Sequence, residues 1–97
     1  MQSFEELRKQ GNAAAVGLLL ADAAIAGTFL DLARDSQDRE FRQRRIYEAE
    51  KAYRFIEERI PTVVLTPQEA VTLGSKMDLL KERLSLLKAE VEIRLDY

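Results

Sequence analysis

Residues Thr66-Pro67-Gln68-Glu69 open a run in which Leu73, Met77, Leu80, Leu84, Leu87 and Val91 recur at alternating spacings of four and three. The opening tetrad is a helix start: Thr66 is an N-cap, Pro67 suits the first helical position, and Glu69 can reach back to complete a capping box. The spacing that follows is a heptad seam, which must bury itself against other helices. The chain is therefore expected to fold by helix packing, and its work is expected to be association.

At 97 residues the chain has room for one domain, spanning 1–97. A chain of this size removes only about 60 to 65% of its unfolded surface from water, so its stability is modest unless a partner adds to it. Hydrophobic residues make up 46% and charged residues 33%, with four Gly and two Pro, a balance that excludes disorder. Fifteen basic and seventeen acidic side chains are interleaved, giving a net charge of -2 and no polybasic arm or acidic tail. The absence of Cys excludes disulfides, thiolate nucleophiles and Cys-based zinc sites. The absence of His removes the commonest general base and transition-metal ligand.

Ser3-Phe4-Glu5-Glu6 is a second capping-box pattern, so a helix is expected from residue 4. Phe4, Leu7, Gly11, Ala14, Leu18, Ala21, Ile25, Phe29 and Leu32 fall on one side at 100° per residue, which favours one long helix to about residue 35, with Gly11 as a candidate kink. The opposite side is apolar too, through Leu19, Ala23, Ala26 and Leu30, and a helix apolar all round is expected to be buried all round. Gly17, Ala21, Ala24 and Gly27 would let neighbouring backbones approach closely. The same stretch imitates a signal peptide or membrane span, but Asp22 interrupts it where a bilayer would charge about 2.5 to 3.5 kcal/mol. Glu5 and Glu6 spoil a basic leader as well. The reading is a buried helix of a cytoplasmic protein with no membrane contact.

Asp35-Ser36-Gln37-Asp38 is a turn, with Ser36 or Asp38 capping a second helix from about 39 to 60. Its expected buried face is Phe41, Ile46, Ala49, Ala52, Tyr53, Ile56 and Ile60, and Pro61 stops it. Residues 62–65 read as an extended connector. The terminal Glu90 to Tyr97 alternates charged and apolar like a strand, while Val91 and Leu95 continue the seam; helix to about residue 94 is favoured. Ala49, Tyr53 and Pro61 are spaced as in the second helix of a tetratricopeptide repeat, and residues 30–61 resemble such a hairpin. The resemblance fails in the first helix of the repeat, where the expected Trp, Leu-Gly and Tyr fall on Ala33, Ser36-Gln37 and Glu40, and Ile56 replaces the usual Ala. What it implies is an all-α helical hairpin that stacks on protein neighbours.

Catalytic constellations are thin. Without His, the paired Glu-x-x-His motifs of di-iron bundles are impossible, and Ser3, Ser36, Ser75 and Ser85 have no evident base. Arg39, Arg42, Arg44 and Arg45 form the basic cluster, a candidate set of phosphate contacts for a nucleic-acid-associated regulator. Interleaved Glu40, Glu48 and Asp38 argue instead for structural pairing, with Arg42 and Arg45 meeting Asp31 and Asp35 across the turn. Asp22 is expected to be buried against Lys76 as a specificity device.

These readings combine into an all-α protein of three long helices in an antiparallel up-down-up bundle, with helix one at the centre. Its expected role is a non-enzymatic protein-protein association module without a cofactor, self-associating as a homodimer; another protein is the other partner class, and nucleic acid is disfavoured. The expected interface is a second stripe on helix three, Leu79, Leu86 and Ile93, repeating every seven residues about 100° or more from the main seam. The alternative is that this stripe closes over helix one within the same chain.

Overall fold

The computed structural model describes residues 3–95, with side chains described through residue 90. It is all-α: α1 spans Phe4–Asp35, α2 spans Arg39–Arg59, and α3 spans Pro67–Leu95, with a single 3-10 turn at Ile60–Thr62. Each helix begins where local chemistry satisfies its first amides. Ser3 accepts from the Glu6 amide while Glu6 accepts from the Ser3 amide, closing the first capping box. Asp38, not Ser36, caps α2, its carboxylate accepting from the Phe41 amide at 3.0 Å. Thr66 and Glu69 form the reciprocal pair at the head of α3, at 2.9 and 3.1 Å. Pro61 ends α2 by tightening it into the 3-10 turn, and Val63 then becomes extended. The helical reading of the C-terminal segment holds as far as Leu95, since Val91 and Leu95 extend the 3.6-residue period of the seam.

The three helices run up, down and up. Asn12 of α1 clamps the connector, its amide donating to the Val64 carbonyl at 2.8 Å and accepting from the Val64 amide at 2.7 Å. Higher up, Arg83 of α3 pairs with Asp31 of α1. Both contacts join residues 52 apart in sequence, so α1 and α3 lie parallel with residue i level with residue i+52. The bundle is long and thin, 64 × 22 × 18 Å, because the helices lie side by side and α3 is offset, its last turns running past the end of α1.

The core forms where the facing stripes meet: Leu19, Ala23, Ala26, Leu30 and Ala33 of α1, Ile46, Ala49 and Ile56 of α2, and Leu73, Met77, Leu80, Leu84 and Leu87 of α3. The α3 seam is thus buried along its described length. Alanines on α1 and Ala49 on α2 allow close approach of those two helices, while the α3 leucines fill the groove between them.

Helix α1 is not buried all round, and it is not central. Val16, Leu19, Ala23, Ala26, Leu30 and Ala33 are its buried positions, whereas the seam through Phe4, Leu7, Gly11, Ala14, Leu18, Ala21, Ile25 and Leu32 faces outward. A three-helix bundle gives each helix two neighbours, and both neighbours of α1 lie on one side of it. Covering the other side requires something beyond these three helices. Phe41 likewise departs from the expected α2 face, being exposed, while Arg42 is buried in its place.

Candidate association surface

The outward face of α1 has a composition that solvent-facing helices seldom show. Nine residues between 11 and 30 are exposed, and all nine are Gly, Ala, Leu, Ile or Thr. Leu18 is 54% and Ile25 48% exposed, and the small residues Gly11, Ala14, Gly17 and Ala21 lie between and beside them. The polar member, Thr28, turns its hydroxyl back to donate to the Ala24 carbonyl at 3.1 Å, so it offers its methyl outward. Helix α1 is long and apolar enough to cross a membrane by length and composition, and 28% of its most apolar window is buried by the bundle.

The second stripe of α3 is also open to solvent: Leu79 is 56% and Leu86 65% exposed. Neither closes over α1, because the side of α3 that meets α1 is held by Arg83, which sits four residues after Leu79 and three before Leu86. Its guanidinium Nη1 lies 3.8 Å from where a side chain on Gly27 would begin, and its Nη2 binds Asp31. The side chain of Ile93 lies outside the described residues. Helical geometry places the two stripes on one side of the molecule. On α1, Thr28 and Leu32 adjoin Asp31; on α3, Leu79 and Leu86 adjoin Arg83; the Asp31–Arg83 pair forms the floor of the groove between them.

The expected Asp22–Lys76 pair does not form. Asp22 is half-buried and Lys76 is exposed, and among the described residues no ion pair joins them. The two residues are close to level, but Asp22 lies seven residues before Phe29 and so shares its flank. Phe29 packs under the guanidinium of Arg45, 5.7 Å from the ring centre, which places that flank against α2. The flank of α1 that faces α3 carries Gly27 and Asp31 instead, so the cation reaching α1 from α3 is Arg83.

The basic cluster is dispersed by the fold. Arg42, 5% exposed, turns inward and pairs with Glu90 of α3 at 3.4 Å. Arg45 lies over the rings of Phe29 and Phe41 and meets Glu48 at 3.3 Å. The expected partners Asp31 and Asp35 are engaged elsewhere, with Arg83 and Arg34, because Arg34 on the last turn of α1 reaches both of them first. The Asp35 carboxylate, hydrogen-bonded and close, raises the Arg34 pKa further above its ordinary value, with a smaller contribution from Asp31. Arg39 and Arg44 remain exposed, but five residues apart they point about 140° away from each other. The four arginines do not make one face.

A sequence reading centred on Arg45 and the seam missed one polar feature. Glu50 of α2 bridges Arg54 of its own helix at 2.6 Å and Lys88 of α3 at 2.8 Å. The hydrogen bond from Lys88 holds the Glu50 carboxyl below its ordinary value; partial burial opposes this, and the charges of Lys88 and Arg54 assist it. The i,i+4 spacing of Glu50 and Arg54 is a signal visible in sequence, while the Lys88 contact depends on the α2–α3 register. The shallow depression beside this bridge is lined by Glu50, Tyr53, Arg54, Glu57, Lys81, Leu84, Ser85 and Lys88, a charged surface groove. Among the described residues no group of three or more acidic side chains is placed to hold a metal ion. No known protein family matches this chain, and no curated protein or solved structure is detectably similar to it.

Proposed function

We propose that this protein is a non-enzymatic helical association module that pairs with itself through its exposed apolar stripes. The observation that supports the reading is Leu79 and Leu86 standing in solvent on a helix whose main seam is already satisfied. Each leucine buried at an interface contributes about 1.5 to 3 kcal/mol, and a two-fold pairing presents the same patch on both chains. A continuous apolar surface of this extent is otherwise a cost in water. The resemblance of residues 30–61 to a tetratricopeptide hairpin supports the same class of role, since such hairpins bury their open faces on neighbours. Light scattering on the wild type and on Leu86→Lys tests it. A mass of two chains that falls to one in the variant is expected; a wild type that stays at 11.1 kDa at high micromolar concentration refutes it.

A further inference from the structure

We infer that the partner on the outer face of α1 is the α1 helix of a second copy of this chain, lying antiparallel to it about a two-fold axis level with residues 19 and 20. The inference rests on the self-association reading above and specifies where, and in which direction, the two copies meet.

The outer seam of α1 is built for a helix. Its larger members Phe4, Leu18, Ile25 and Leu32 repeat every seven residues, with Gly11 at the remaining position of that series. The series three residues on, Leu7, Ala14, Ala21 and Thr28, is small over its middle. In a parallel pair each residue meets its own copy, so Leu18 would oppose Leu18 while Ala14, Ala21 and Gly11 left layers of empty space. In an antiparallel pair the two series face each other, so that Leu18 and Ile25 lie opposite Ala21 and Ala14. Large against small fills these central layers evenly.

The ends of the helix argue for the same direction. Phe4 and Leu7 are exposed at the N-terminal end, where the bundle offers them no cover. The same axis brings them to the level of residues 32–35 of the second copy. Leu79 and Leu86 are level with residues 27 and 34 of α1, across the Asp31–Arg83 groove. The N-terminal turn of one copy therefore meets Leu32, Leu79 and Leu86 of the other, and both orphan stripes are covered by one two-fold arrangement. Charges follow, since Arg8 and Lys9 approach the Asp31 and Asp35 end of the partner helix, where a parallel pair would set like beside like.

The area is sufficient only with both stripes. A strip about 42 Å long and about 12 Å wide on α1 is on the order of 500 Å² per chain, against about 800 Å² per partner for a standard stable interface. The α3 leucines, outside that strip, add to it. A lipid surface is the other apolar occupant, but α1 itself carries no Lys or Arg between residues 11 and 30, where binding to anionic lipid calls for a row of them beside the apolar face.

The test uses spin labels on the full chain, made easy by the absence of native Cys. Single-cysteine variants Leu18→Cys and Phe4→Cys are labelled, and the distance between chains is read by pulsed dipolar spectroscopy. Labels at residue 18 are expected at about the spacing of two packed helices, 8 to 10 Å between axes plus the label arms, and labels at residue 4 about 46 Å apart. Short distances at both positions mean a parallel pair and overturn the direction. A dimeric mass with long distances at residue 18 moves the interface off α1 and overturns this inference while leaving self-association standing. A monomeric mass refutes both, and a monomer that floats with neutral or anionic phosphatidylcholine–phosphatidylglycerol vesicles assigns the face to lipid instead. Ala21→Arg, at an exposed position, supplies the control: helicity by circular dichroism unchanged, and at least a tenfold weaker dimer. An unchanged dimer in that variant also counts against α1.

Discussion

Adjacent leucines on α1 give opposite answers about what holds the monomer together. Leu19 is 2% exposed and packs in the core, whereas Leu18 is 54% exposed on the outer seam. Truncating a buried leucine removes its transfer free energy and leaves a cavity, about 2 to 5 kcal/mol in total. Leu18 has about half its surface covered, on the side facing Phe55 and Val63, so Leu18→Ala removes about half of the roughly 1.5 to 3 kcal/mol that full burial provides, near 1 kcal/mol, with no enclosed cavity. Urea unfolding followed by circular dichroism at sub-micromolar chain concentration, where dimers dissociate, should separate the two variants by about 1 to 4 kcal/mol. For a domain of this size that is about 4 °C or more in Tm. Raising the concentration should stabilise the wild type more than Leu18→Ala, because a dimer contributes by mass action and the variant forms a weaker one. Equal losses for both variants at the lowest concentration would mean that the outer seam is part of the monomer core, and the face assignment would be wrong.

Other perturbations have defined outcomes. Arg42→Met keeps the buried stem and removes a buried charge whose Nε has no hydrogen-bond partner, so it should be neutral or stabilising in thermal melts, at least about 2 kcal/mol better than Arg42→Ala. Asn12→Ala should cost about 1 to 2 kcal/mol by loss of the two hydrogen bonds to Val64, read by urea midpoint and by faster amide exchange at Val64. Lys76→Met should stay within about 0.5 kcal/mol of wild type, since Lys76 is exposed and pairs with nothing on α1. The folded pKa of Glu50 lies below its ordinary value of 4.5, so its contribution is complete above that pH and is lost as pH falls through and below it. The stability gap between wild type and Glu50→Gln should therefore close on acidification, and a gap that widens would contradict the sign.

Local chemistry was the legible part of this chain. Ser3–Glu6 and Thr66–Glu69 mark two helix starts through hydrogen bonds that span three residues, and Pro61 ends α2 through a steric clash with its immediate predecessor. The α3 seam was legible because its apolar residues keep an unbroken spacing of four and three from Leu73 to Val91, although the far side carries Leu79 and Leu86 as well as Glu82. The burial of α1 was not, since both of its sides are apolar and period alone cannot choose between Leu18 and Leu19. The choice is made by packing, where Ala23, Ala26 and Ala33 let α2 approach closely along the Leu19 and Leu30 side. Ion pairs were legible to the level but not to the flank: Asp22 and Lys76 are near in height, yet one faces α2, and Arg83 meets Asp31 instead. The arginines show the same limit, because Arg34, three residues after Asp31 and one before Asp35, captures both before α2 can.

The measurement closest to the central claim is the solution mass of the full chain by sedimentation equilibrium across a wide concentration range. Self-association through the exposed stripes predicts a reversible approach to twice the chain mass of 11.1 kDa, abolished by Leu86→Lys without loss of helicity. A single species of 11.1 kDa throughout, at concentrations up to the high micromolar range, would contradict it.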